Sequence, residues 1–118
     1  MRAPRAFDVA DHFAGRSAAV AATYKALLAA ARRLGPVKED PKKTSIHLVR
    51  RTAFAGVATR KSALVLTLKS DRAIRSPRVK RNQHTSAHRW HAEVLLEVPA
   101  QVDTQLRSWL ARAYALAG

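Results

Sequence analysis

Cysteine is absent from the 118 residues, which removes disulfides, thiolate metal sites and thiol catalysis together. Glycine is scarce. The four, Gly15, Gly35, Gly56 and Gly118, form neither a GxGxxG fingerprint nor a Walker A loop, and no GxSxG elbow occurs. No apolar run approaches the roughly 20 residues of a membrane span. Asp8, Asp11 and His12 interrupt the arginine-bearing start, so it has no apolar core of a secretory leader. These absences lead to the expectation of a cytoplasmic protein with no membrane partner. Acids are few as well: eight Asp/Glu stand against 22 Arg/Lys.

What is present in excess is positive charge, a net +14 with a sequence pI near 11.6. Between residues 42 and 91, thirteen Arg/Lys face one acid, Asp71. A field of one sign attracts polyanions at long range. Arg- and Ala-rich usage also follows from a GC-rich coding bias, so the charge alone does not name a partner. With 47% apolar and 25% charged residues, the composition is that of a globular chain of single-domain length. The expected organisation is a lead-in of residues 1–15 followed by one domain, 16–118.

Hydrophobic periodicity divides that domain. Over Ser17 to Leu34, Val20, Tyr24, Leu27, Leu28, Ala31 and Leu34 form one helical stripe. Ser17 is placed to cap it, and Gly35-Pro36 to stop it. Residues 100–116 repeat the design with Val102, Leu106, Trp109, Leu110, Ala113 and Leu116, Asp103 lying in the first turn. Between the helices the period becomes two, predicting strands at Thr44 to Val49, Thr52 to Thr59, Ser62 to Lys69 and His91 to Val98. Asp71 to Arg89 has no sustained period and reads as a long loop, with at most a short strand near Arg78 to Lys80. The predicted fold is α+β: an antiparallel sheet of four or five strands with two amphipathic helices, N- and C-terminal, on one face. Its other face is then open, carrying His47, Thr67, Lys69, His91 and Glu93.

Three segments together, "HFAGRS", "LGPVKEDPKKTSIHLVRRTAFAGVATRKSALVLTLKS" and "HRWHAEVLLEV", resemble the bacterial domain of unknown function numbered 5655. The resemblance spans about residues 12 to 116. Its most specific parts are "PKKTSIHL", "AFAGV" and the basic-His-aromatic-His run before the last strand. That family occurs alone and attached to other domains, some resembling restriction-type nucleases. The resemblance thus implies an association with nucleic acid, but it brings no assigned active site.

The stretch Arg75 to His91 holds five Arg/Lys and three His without a carboxylate. His84, His88 and His91 are spaced as zinc ligands on a helix would be. The intervening Asn, Thr and Ser make a poor helix, and the surrounding cations oppose a dication. No metal and no cofactor are expected. Glu93 and Glu97 lie roughly 13 Å apart along an extended chain, too far for a two-carboxylate dyad, so no catalytic residue is assigned. The expectation is a binding module rather than an enzyme. Arginine's planar fork suits phosphate, and the candidate anion- or nucleic-acid-binding residues are Lys42, Lys43, Arg50, Arg51, Arg75, Arg78, Lys80, Arg81, His88 and Arg89. Trp90 points into the core or stacks on bases; the sequence permits both. The alternative is a pocket for a small anionic ligand, or an undiscovered enzyme, on the open face with His47, Thr67, His91 and Glu93. A homodimer through the same face would bury Val49, Val65 and Leu95.

Overall fold

The computed structural model describes residues 7–118; the first six residues of the expected lead-in lie outside them. A 3-10 turn, Val9–Phe13, leads into helix α1, Ala18–Arg32. Six strands follow, β1 Lys38–Pro41, β2 Ile46–Val49, β3 Ala53–Thr59, β4 Leu64–Ser70, β5 Val79–Ser86 and β6 Arg89–Leu96. A second 3-10 turn, Pro99–Gln101, precedes helix α2, Thr104–Leu116. All strands pair antiparallel in one sheet of order β1-β2-β3-β4-β6-β5.

The α+β class and the two helices match the sequence-based expectation, but the sheet has six strands rather than four or five. β1, Lys-Glu-Asp-Pro, is polar and ends at a proline, so it carries no apolar alternation. β5 occupies much of the segment predicted as a loop. After Val79 every one of its residues is exposed, because an edge strand beyond the reach of the helices buries neither face. Its pairing with β6 slips between Val79 and Arg81 and again between His84 and Ser86. Such bulges twist an edge away from further pairing.

Alternation makes the core. Ile46, Leu48, Val57, Leu64, Leu66, Leu68, Val94 and Leu96 are fully buried beneath α1 and α2, which contribute Val20, Tyr24, Leu27, Leu106 and Leu110. A bulge in β3, where the register with β2 passes from Leu48↔Ala55 to Val49↔Ala53, lets consecutive Phe54 and Ala55 both turn inward. Phe54 meets Tyr114 edge-on at 5.2 Å. Before α1, Phe13 rests on Tyr24, ring centroids 5.0 Å apart.

Three local expectations change. The Ser17 side chain makes no capping bond; its backbone N–H donates to the Lys61 carbonyl at 2.8 Å, tying the helix start to the β3–β4 turn. The second helix begins at Thr104 rather than 100, with Asp103 as N-cap accepting from the Leu106 N–H at 3.0 Å. Val98, the last residue of the strand expected from His91, is 45% exposed because β6 ends at Leu96 and the chain turns at Pro99. Gly35 has φ +150°, and a Cβ there would run into the Tyr114 ring, whose hydroxyl donates to the Pro36 carbonyl at 3.0 Å. Only glycine fits there.

Candidate functional site

The helices cover one face of the sheet and leave the other open. On β2, β3 and β4 the outward positions are His47, Val49, Ala53, Gly56, Ala58, Val65, Thr67 and Lys69, with no carboxylate among them. Register aligns these positions in rows. One row crosses all six strands: Asp40, His47, Gly56, Thr67, Glu93 and Arg81. A neighbouring row runs Lys38, Val49 and Ala53 on one side of the β3 bulge, and Lys69, His91 and Gln83 on the other. Arg89, two residues before His91, extends this cationic end.

The carboxylates of the first row sit at its flanks, each beside a cation. Asp40 meets Lys42 Nζ at 2.9 Å and Glu93 meets Arg81 at 3.8 Å. The Lys42 hydrogen bond, aided by Lys42, Lys38 and His47 as nearby positive groups, holds the Asp40 carboxyl below the usual carboxylate range.

At the centre of the face lies a hollow of about 250 Å³, lined by Ser45, His47, Gly56, Thr67, Lys69 and His91 among others. Its floor is low because Gly56 has no side chain and Ala53 and Ala58 have short ones. A Cβ at Gly56 would come no nearer than 3.9 Å to another atom, the His47 Cδ2. Lys69 donates to Thr52 Oγ1 at 3.1 Å. Partial burial, and secondarily the charge of Arg89, draw the Lys69 ammonium below the usual lysine range. An anion placed there would offset both effects. A second hollow, about 220 Å³, adjoins on the same face with Val65, Leu95, Glu93, Arg60 and Lys80 around it.

The ten cationic residues singled out from the sequence fall into two groups. Arg78 is held internally. Its guanidinium donates to Asp103 Oδ1 and Oδ2 at 2.9 and 3.0 Å, to Gln105 Oε1 at 3.2 Å and to the Gln101 carbonyl at 2.7 Å. It also lies 5.8 Å from the Trp109 ring centroid. Arg50 stacks on Tyr114 at 4.4 Å and donates to the Tyr114 carbonyl at 3.1 Å, clasping the end of α2. Lys42 and Arg81 are the flank cations described above. Lys43, Arg51, Arg75, Lys80, His88 and Arg89 are exposed with no carboxylate partner among the described residues.

Of the open-face residues expected from the sequence, His47, Thr67 and His91 line the central hollow, and Glu93 lines its neighbour. His84 pairs opposite Trp90 while His91 pairs opposite Gln83, so His84 and His91 project from opposite faces. Among the described residues no group of three His, Asp or Glu is arranged to hold a metal ion. Trp90 is half-buried and stacks on His84, centroids 4.2 Å apart and planes 10° from parallel; it belongs to the hairpin, outside the main core. Two contributors escaped the sequence reading. Gly56 has no chemistry to mark it, and Lys38 sits on a strand with no apolar pattern. No helix among the described residues is long and apolar enough to cross a membrane.

Residues 9–117 match the family described as domain of unknown function 5655, and the chain belongs to that family. No curated protein and no solved structure matches it.

Proposed function

We propose, since membership of this family supplies no chemistry to inherit, that the domain is a non-enzymatic module that binds nucleic acid through phosphate contacts across its open sheet face. One observation carries this reading. Lys38, Lys69, His91 and Arg89 lie along one end of a face left open by the described elements, and the carboxylates in its strand rows, Asp40 and Glu93, are engaged at its flanks. Exposed Lys80 and His88 on the β5–β6 hairpin extend the same field. The helices spend their apolar sides on the core, leaving no recognition helix for the major groove, so phosphate contacts would position without reading sequence.

A pocket for a small anionic metabolite is the second reading, favoured by the convergence of His47, Thr67, Lys69 and His91 on the hollow. At about 250 Å³, the hollow falls below the roughly 300–1,000 Å³ that enclose a small-molecule ligand. That size favours one unit of a longer chain. Glu93, the carboxylate of that second reading, faces Arg81 at 3.8 Å.

The test is a salt-titrated binding assay on mixed nucleic acids beside a charge-matched basic control protein. Replacing Lys38, Lys69 and Arg89 together with Ala should lower the slope of log K against log salt by about two. An unchanged slope and affinity would sink the reading.

A further inference from the structure

We infer that the hollow above Gly56 seats one unpaired base, so that the domain selects single-stranded nucleic acid over duplex. This rests on the nucleic-acid reading and deepens it. Gly56 lies on the third of six strands, between His47 and Thr67 in register. It is the one outward position on the central strands without a side chain, and Ala53 and Ala58 on the same strand keep the surrounding floor low. The floor is therefore flat and weakly polar, suited to the face of a planar ring. The walls differ: His47 and His91 offer imidazoles on two sides, and the Thr67 hydroxyl and Lys69 ammonium offer polar contacts to ring edges or to the adjoining phosphate.

A duplex has nothing to insert there, because its bases are stacked and paired within the helix. A single strand can turn a base out of the stack and leave its phosphates on the cationic end marked by Lys69 and Arg89. The hollow adds a contact that only the unpaired strand can make, whereas the cations serve both forms alike. Selectivity and salt dependence therefore reside in different residues.

Gly56→Leu separates them. Its backbone lies outside the left-handed region and a Cβ meets nothing closer than 3.9 Å, so a side chain is accommodated and fills the hollow while every cation stays. Thr67→Leu fills it from β4, should the first variant melt at a lower temperature than the parent. Affinity would be measured for one mixed-sequence oligonucleotide, single-stranded and annealed to its complement. Adenosine monophosphate and inorganic phosphate serve as separate ligands.

The parent should prefer the single strand by about tenfold, the scale of one base stacked, and Gly56→Leu should lose that preference with its salt slope unchanged. Equal binding of both forms by the parent, or an undiminished preference in both filled variants, would overturn the inference and leave the phosphate reading intact. Adenosine monophosphate binding as tightly as the oligonucleotide would also overturn it and make the hollow a small-molecule site. Binding of neither form above the control protein would remove the nucleic-acid reading and this inference with it.

Discussion

Along β4, Leu64, Leu66 and Leu68 are fully buried beneath the helices, while Val65, Thr67 and Lys69 look out from the opposite face. The buried set is uniformly aliphatic and packed; the outward set is one methyl-rich, one hydroxyl and one ammonium side chain with no element among the described residues laid over it. Neighbouring residues of a single strand thus take up separate tasks. The folding energy comes from removing area from water on one face, and the other face is free to vary in chemistry at little cost in stability. Substitutions should accordingly separate cleanly by parity.

The largest effect should come from the covered face. Leu66→Ala leaves a cavity in a fully buried position and is expected to lower stability by about 2–5 kcal/mol. Val65→Ala, one residue away on the open face, should cost under about 1 kcal/mol. Urea unfolding of both checks this, and equal losses would mean that the open face is covered in solution, as a homodimer would require.

Next is Arg78. In the sequence it is one more cation of a basic run, yet it ties the start of β5 to Asp103, the N-cap of α2. Arg78→Ala should cost about 1–3 kcal/mol, since it removes several charge-assisted hydrogen bonds. Lys80→Ala should fall within about 0.5 kcal/mol. A matching result for the two would show that the clamp is not maintained in solution.

The smallest effect is one of pH. The Leu106 backbone N–H first, and Arg78 second, hold the Asp103 carboxyl below the usual carboxylate range. A depressed folded-state pKa contributes stability that is present above the unfolded value, near 3.9. That contribution is lost as pH falls through the folded value. Thermal midpoints should therefore drop on acidification below about pH 5, and Asp103→Asn should show a shallower drop. Parallel curves for the two proteins would break this link. Asp71, held down mainly by Arg72, acts in the same direction.

What was legible in the sequence was whatever the core imposes. A strand with one face buried must alternate, so β2, β3, β4 and β6 could be found, and the parity of His47, Thr67 and His91 followed from the same pattern. Of β5 only the start, near Arg78 to Lys80, was legible, because its exposed residues carry no alternation. β1 was hidden for a similar reason, and Lys38 with it. The hollow depends on an absence: Gly56 inside "AFAGV" matters because of what lies beside it across strands. Arg78 and Arg50 illustrate the opposite limit, since a bound guanidinium and a free one are written with the same letter.

The strand order has a consequence for how the chain assembles. β4 lies against β6, not against β5, so residues 71–88 must be laid down before β4 acquires its second neighbour. β5 and β6 are separated by only Ala87 and His88, and a hairpin with so short a connection closes in about 1–10 μs. The hairpin should form as a ready-made ribbon and dock late, because closing the longer excursion costs more entropy. Until it docks, the edge of "ALVLTL" stands unpaired, aliphatic and rich in β-formers, the composition that recruits a second chain. Arg60 and Lys61 precede that run, and Lys69 and Arg72 close it. Like charges at both ends keep two such edges apart during the interval. The positive charge that marks the finished surface thus also guards the chain while it is still incomplete.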